Sequence, residues 1–141
     1  MEQLDRYVAE QIPKLKTVHT KHLEGMFENY SPDEIVTGSG MSSAEIIESF
    51  RLSLITESLT DEYAKTFRQG ARTHESEWLH RYVSEFWEPD EMGHADPFKN
   101  ILVDFGLDQK LLELDINNAR SETDYFLHHS SGSHPVSLTT Y

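Results

Sequence analysis

A glutamate followed three residues later by a histidine puts a carboxylate and an imidazole one turn apart on one helix face. That is the ligand pair of carboxylate-bridged di-iron bundles. The sequence holds the pair twice, at Glu77/His80 and at Glu91/His94. With 16 Glu and 8 His, roughly one such pair arises from composition alone, so the bare motif decides nothing. Placement separates the two. Glu77 falls opposite the apolar stripe of its helix, where a solvated carboxylate is expected. Val83, Trp87, Glu91 and His94 form an i, i+4, i+8, i+11 line, which carries Glu91 and His94 to the edge of the buried face. The bland alternative for that pair is a helix-end charge cluster beside Pro89 and Pro97.

Glu57 is the third residue of interest. Ile46, Phe50, Leu54, Glu57, Asp61 and Ala64 share one helical stripe, while Leu52, Ile55, Leu59 and Tyr63 populate the other side. A helix apolar on nearly all sides is a buried one, and a buried carboxylate needs a partner. A metal shared with Glu91 and His94 would supply it, and so would an ion pair with Arg51, Arg72 or Arg81. Glu57 is therefore expected to be buried and within reach of Glu91 and His94. The other histidines suggest less: His19 and His22 share a face beside Lys21, and His128, His129 and His134 lie in a Ser/Gly loop.

Composition narrows the chemistry. The 141 residues carry 12 Lys+Arg against 25 Asp+Glu, a formal net charge of −13. Such acidity argues against a general nucleic-acid binder, which needs a basic face, and against charge-driven docking on anionic lipid. Without cysteine there is no disulfide, thiolate metal site or Cys nucleophile, so a transition metal must be held by His and carboxylate. No Gly-x-Ser-x-Gly, phosphate-loop or dinucleotide fingerprint is present. The apolar runs are far short of the roughly 20 residues of a membrane helix, and the N-terminus lacks a signal-peptide pattern. These features predict a soluble, cytoplasmic chain in one domain.

The elements that must position these residues read as helices. Leu4, Val8, Ile12, Leu15, Leu23 and Phe27 mark a helix over about 2–29, which Pro13 should kink or restart. Ser31-Pro32-Asp33 and Gly38-Ser39-Gly40 read as breaks. One long helix is expected over about 44–69, ended by Gly70. Another runs from about Thr73 with the inward stripe Trp78/Leu79, Tyr82/Val83 and Phe86/Trp87, until Pro89 interrupts it. Residues 98–105 and 108–126 follow as helices, the latter with Leu111, Leu112, Leu114, Ile116 and Ala119 inward. No strand series appears, so the class is all-α.

Three stretches resemble one family, the soluble acyl-[acyl-carrier-protein] desaturases, which are di-iron enzymes on a ferritin-like bundle. Leu4-Asp5-Arg6-Tyr7-Val8-Ala9-Glu10 through Leu15-Lys16 resembles the opening L-D-x-W-A-E-x-x-I then L-K-P. Ile55-Thr56-Glu57-Ser58-Leu59-Thr60-Asp61-Glu62-Tyr63 resembles I-T-E-E-A-L-P-T-Y, and Trp87-Glu88-Pro89-Asp90-Glu91-Met92-Gly93-His94 resembles W-T-A-E-E-N-R-H. His134-Pro135 through Tyr141 is similar to the S-P-x-x-x-x-x-Y lead-in to the next ligand helix. Pro89, Gly93 and Pro97 depart from the family's continuous helix.

The resemblance implies iron, two ions per complete site. Glu57 would be a terminal ligand of one iron, Glu91 would bridge the two, and His94 would complete the first iron's set. It implies a double bond introduced with O2 into a fatty acyl chain on acyl-carrier protein, with an electron donor such as ferredoxin. Lys14, Lys16 and Lys21 are the densest basic stretch for docking the acidic carrier. Tyr141 precedes the family's remaining Glu and second Glu-x-x-His, so the chain is expected to be an N-terminal portion of the bundle holding three of six ligands. The alternatives are a non-catalytic helical fragment or interaction module and a ferritin-like oxidase of other substrates. A homodimer pairing two such portions, through the faces bearing Leu54, Ile55, Leu59 and Trp78, Tyr82, Phe86, would restore six ligands.

Overall fold

A computed structural model describes residues 2–23 and 29–129. His134 and residues 136–141 lie outside them, and the side chains of Lys16, His19, Lys21, His22, His128 and His129 lie outside the description. The described residues are all-α, without a strand. The order is α1 (Glu2–Leu23), α2 (Pro32–Ser39), α3 (Ser43–Glu57), α4 (Thr60–Thr73), α5 (Glu77–Tyr82), a π-helical turn (Val83–Trp87), α6 (Glu88–Glu91), α7 (Ala95–Asp104) and α8 (Gln109–His129). None of these helices is long and apolar enough to cross a membrane. Pro13 does not end α1, which continues through it.

Local chemistry explains where the chain turns. Ser31 opens α2 rather than only breaking the chain. The Glu34 N–H donates to its hydroxyl at 3.3 Å, and its own N–H donates to the Glu34 carboxylate at 2.8 Å, with Pro32 pre-set for the first turn. Ser42 and Glu45 repeat this capping box at the start of α3. Between them Gly40 takes φ 70° and its N–H reaches the Val36 carbonyl, the left-handed helix stop that glycine supplies at least steric cost.

The expected helix over 44–69 is two helices. α3 stops at Glu57 and α4 starts at Thr60. Hydroxyls in this stretch compete for backbone carbonyls: Thr56 donates to Leu52 O at 3.0 Å and Thr60 to Glu57 O at 2.9 Å. Hydrophobic periodicity passes straight over this corner and does not register it. Gly70 does not end α4, which runs to Thr73; the reversal comes at Glu75, with φ 49°, and Ser76 N–H bonds back to Ala71 O at 2.8 Å.

Pro89 does not interrupt its helix either. A regular α-helix would press the proline ring on the Glu85 carbonyl. The chain instead widens into the π turn Val83–Trp87, where Glu88 N–H reaches Val83 O, and continues helically through Pro89 to Glu91.

The tightest packing joins α3, α7 and α8, where Leu54, Leu102 and Leu112 are essentially inaccessible and Ile47, Phe50, Phe98, Leu107 and Ile116 surround them. The Phe50 and Phe98 rings meet at 5.8 Å. On the other side α4 turns the stripe Thr60, Ala64, Phe67 and Ala71 toward α5, the π turn and α6. Its small residues allow close approach, and Phe67 meets Trp87 edge-on at 4.9 Å. α1 covers α5 from outside with Ile12 buried.

Two burial expectations fail. Leu52, Leu111 and Leu114 are 66%, 61% and 54% exposed, because α3 and α8 each bury only the stripe facing the Leu54–Leu102–Leu112 cluster. The faces bearing Leu54, Ile55, Leu59 and Trp78, Tyr82, Phe86, which a homodimer would need to be free, are instead packed within the chain: Leu54, Leu59 and Phe86 are 1%, 4% and 5% exposed, and the α5 region lies against α1 and α4.

Glu75 is the one described non-glycine residue with positive φ, and a side chain there costs about 1 kcal/mol relative to glycine. Glu75→Gly should raise the thermal midpoint by roughly 2–4 °C, read by circular dichroism. An unchanged or lower midpoint would show that the turn carries no such strain.

Candidate metal centre

Each of the three predicted ligands sits where a helix stops or starts. Glu57 is the last residue of α3 and Glu91 the last of α6, while His94 is the residue from which α7 begins. The C-terminal end of a helix carries partial negative charge. Two carboxylates at two such ends build a negative site that only a cation or protonation can relieve. The α6–α7 link is short: His94 N–H bonds to Glu91 O at 3.0 Å, holding the Glu-x-x-His turn together despite Gly93.

The side chains converge. His94 Nδ1 lies 2.7 Å from Glu91 Oε2 and 3.7 Å from Glu57 Oε2. One ligand atom from each of the three falls within 4.8 Å of the others, and they are the one such group of three among the described residues. Atoms each about 2.1 Å from a shared ion lie roughly 3–4 Å apart, so these separations suit a common cation after small adjustments. His94, Glu91 and Glu57 side chains are 18%, 24% and 30% exposed. Glu57 is thus partly rather than fully buried, short of the sequence expectation.

Burial, then the neighbouring Glu91 charge, push the Glu57 carboxyl above its usual range, with His94 partly opposing them. Tyr82 on α5 is also held above the ordinary phenol range by burial and by the charges of Glu91 and Asp90, so it retains its proton beside the cluster. His94 Nε2 is buried with no hydrogen-bond partner. The donor set, two carboxylates and an imidazole, fits a divalent first-row metal.

Of the three arginines offered as partners for Glu57, two pair elsewhere: Arg51 with Asp115 and Glu48, and Arg81 with Glu85. Glu77 is exposed, as a solvated carboxylate should be. Two arginines that sequence periodicity passes over do matter. Arg68 on α4 pairs with Glu88 on α6, three residues before Glu91. Arg120 on α8 reaches Ser58, Asp61 and Glu62, at the corner next to Glu57. Their partners are distant in sequence, so no local signal announces them.

The raised Glu57 value fixes the sign of a pH effect. The folded state binds this proton more tightly than the unfolded chain, so metal-free stability is lost as pH rises from about 4.5 through the Glu57 titration. Glu57→Gln should remove that loss and stabilise the metal-free protein at neutral pH by about 1 kcal/mol, roughly 3 °C. The measurement is the difference in midpoint between the two proteins at pH 4 and pH 7.5. Equal differences at both would remove the carboxylate repulsion from the account. No protein-family model matches the chain, and neither a curated protein nor a solved structure matches it.

Proposed function

We propose that the chain contributes Glu57, Glu91 and His94 to the iron site of an acyl-[acyl-carrier-protein] desaturase-type oxidoreductase with a ferritin-like bundle. The observation that carries this reading is the convergence of these three residues from three helix ends, with His94 Nδ1 facing both carboxylates. The sequence resemblance singles out the same three. Two irons bound by such a donor set supply the electron transfers and O2 chemistry that remove hydrogens from an unactivated acyl chain. Glu91, the closer carboxylate to His94, would hold the metal together with it. Glu57 would bind it from the end of α3, and the two carboxylates would balance the ion's charge. Acyl-carrier protein bearing the fatty acyl chain and a donor such as ferredoxin are the partners this reading requires.

A second reading has its own observation. The described residues hold one cluster of three ligands, where the resemblance calls for six. A helical interaction module that keeps the scaffold and binds a single divalent ion, without oxygen chemistry, fits that count.

Anaerobic Fe(II) should raise the thermal midpoint of the chain, by about 2.7 kcal/mol of stabilisation at a hundredfold excess over the dissociation constant. Glu91→Gln and His94→Ala should abolish the rise. Incubation of the iron-loaded chain with stearoyl-acyl-carrier protein, ferredoxin, a reductase and O2, followed by mass spectrometry of the acyl group, separates the readings. Loss of a hydrogen pair, by the chain alone or by paired copies holding two irons per dimer, supports the desaturase, and one iron held by a monomer without product supports the module. Absence of any ligand-dependent Fe(II) effect would remove both.

A further inference from the structure

The peptide that follows Glu57 is held from across the molecule. Arg120 on α8 donates through Nη2 to the Ser58 carbonyl at 2.8 Å. Through Nη1 it donates to both carboxylate oxygens of Asp61 at 2.8 Å and to Glu62 Oε1 at 3.0 Å. Glu62 is only 6% exposed, and Lys65 Nζ closes on its Oε1 at 2.8 Å. One guanidinium therefore grips the last carbonyl before the α3–α4 corner and the first turn of α4 together.

That grip falls where the helix itself offers none. The final carbonyls of a helix lack intrahelical partners. Here Glu57 O is taken by the Thr60 hydroxyl and Ser58 O by Arg120. The Ser58 N–H still bonds to Leu54 O, but the Glu57 and Ser58 carbonyls have left the α3 ladder, so these two contacts hold the peptide on which the Glu57 side chain is carried. Arginine suits the task because its planar fork meets a carbonyl and carboxylates at once, which a lysine ammonium does not reproduce.

We propose that Arg120 is a positioning residue of the metal site: it clamps the α3–α4 corner so that Glu57 faces Glu91 and His94, and metal affinity depends on that clamp at the corner. The proposal rests on the metal-binding reading above. Coupling of this kind is reciprocal, so bound metal also steadies the α3–α4 corner.

The fold supplies its own control. Arg51 and Asp115 also join α3 to α8, but on the α3 side they lie six residues before Glu57, away from the corner. A merely structural tether would be disturbed by losing either arginine. The test is anaerobic Co(II) titration, read by d–d absorption for affinity and coordination, with helicity and thermal midpoint measured alongside. Arg120→Lys should keep native helicity yet bind Co(II) about 10- to 100-fold more weakly, with an altered d–d spectrum. Arg51→Gln should lower the midpoint while leaving Co(II) affinity and spectrum unchanged. If Arg120→Lys does not fold, Asp61→Asn removes one arm of the clamp and should weaken Co(II) several-fold at native helicity. Unaltered Co(II) binding by the folded Arg120 or Asp61 variant overturns the proposal, as does an equal loss in Arg51→Gln. Failure of the unaltered chain to bind Co(II) overturns the metal reading and the clamp with it.

Discussion

Two carboxylates brought together at the negative ends of two helices are the constraint around which the rest of the molecule is arranged. Glu57 closes α3 and Glu91 closes α6, and neither position is one that a stability-optimised helix would give to an acid. Burial and mutual repulsion raise the Glu57 carboxyl. A fold that keeps such an arrangement must oppose it with interactions elsewhere, and the surrounding contacts do so. Arg68 pairs with Glu88 across α4 and α6, and Arg120 gathers Ser58, Asp61 and Glu62. Neither arginine touches the two acids. Each neutralises nearby carboxylates and holds backbone beside a ligand, leaving Glu57 and Glu91 with His94 as their shared cationic-capable neighbour.

The two packed regions of the fold divide the labour. The Leu54–Leu102–Leu112 cluster fixes α3 against α7 and α8, which sets Glu57 relative to the helix that His94 begins. The Phe67–Trp87 contact and the buried Val83 and Phe86 fix the π turn against α4, which sets Glu91. Glu57, Glu91 and His94 lie at the junction of these regions, so a shift of either by an ångström would open the 2.7 Å and 3.7 Å separations. Apolar packing is close enough to resist such shifts because small voids forfeit contact energy.

Much of this was legible in the sequence and some was not, for physical reasons. The all-helical class follows from the 3.6-residue periodicity, and the three candidate ligands follow from the Glu-x-x-His spacing and from an acid in an apolar stripe. The α3–α4 corner leaves no mark in the sequence pattern, because the stripe through Leu54, Glu57, Asp61 and Ala64 continues in register across Ser58 and Leu59, while the corner's carbonyls are taken by the Thr60 hydroxyl and the distant Arg120. Pro89 was visible but its effect was misjudged: a proline stops an α-helix, whereas a widened turn accommodates it. Leu111 and Leu114 were assigned inward because apolar identity was taken for burial, which is a one-way rule. Arg120 could not have been found, since its contacts join residues about 60 positions apart.

Placing ligands at helix ends has a mechanical consequence. A ligand in mid-helix is held by hydrogen bonds on both sides, whereas Glu57, Glu91 and His94 depend on whatever caps their helices. At Glu57 those caps are the Thr60 hydroxyl and the Arg120 guanidinium; at Glu91 they are the Met92 and His94 amides that bond back to Glu88 and Glu91. Carboxylates that bridge or change binding mode as a metal changes charge need room to rotate, and a helix end gives it without unwinding a core helix. Stability is then concentrated in the Leu54 cluster and adaptability in the caps, so the site can adjust while the bundle stays packed.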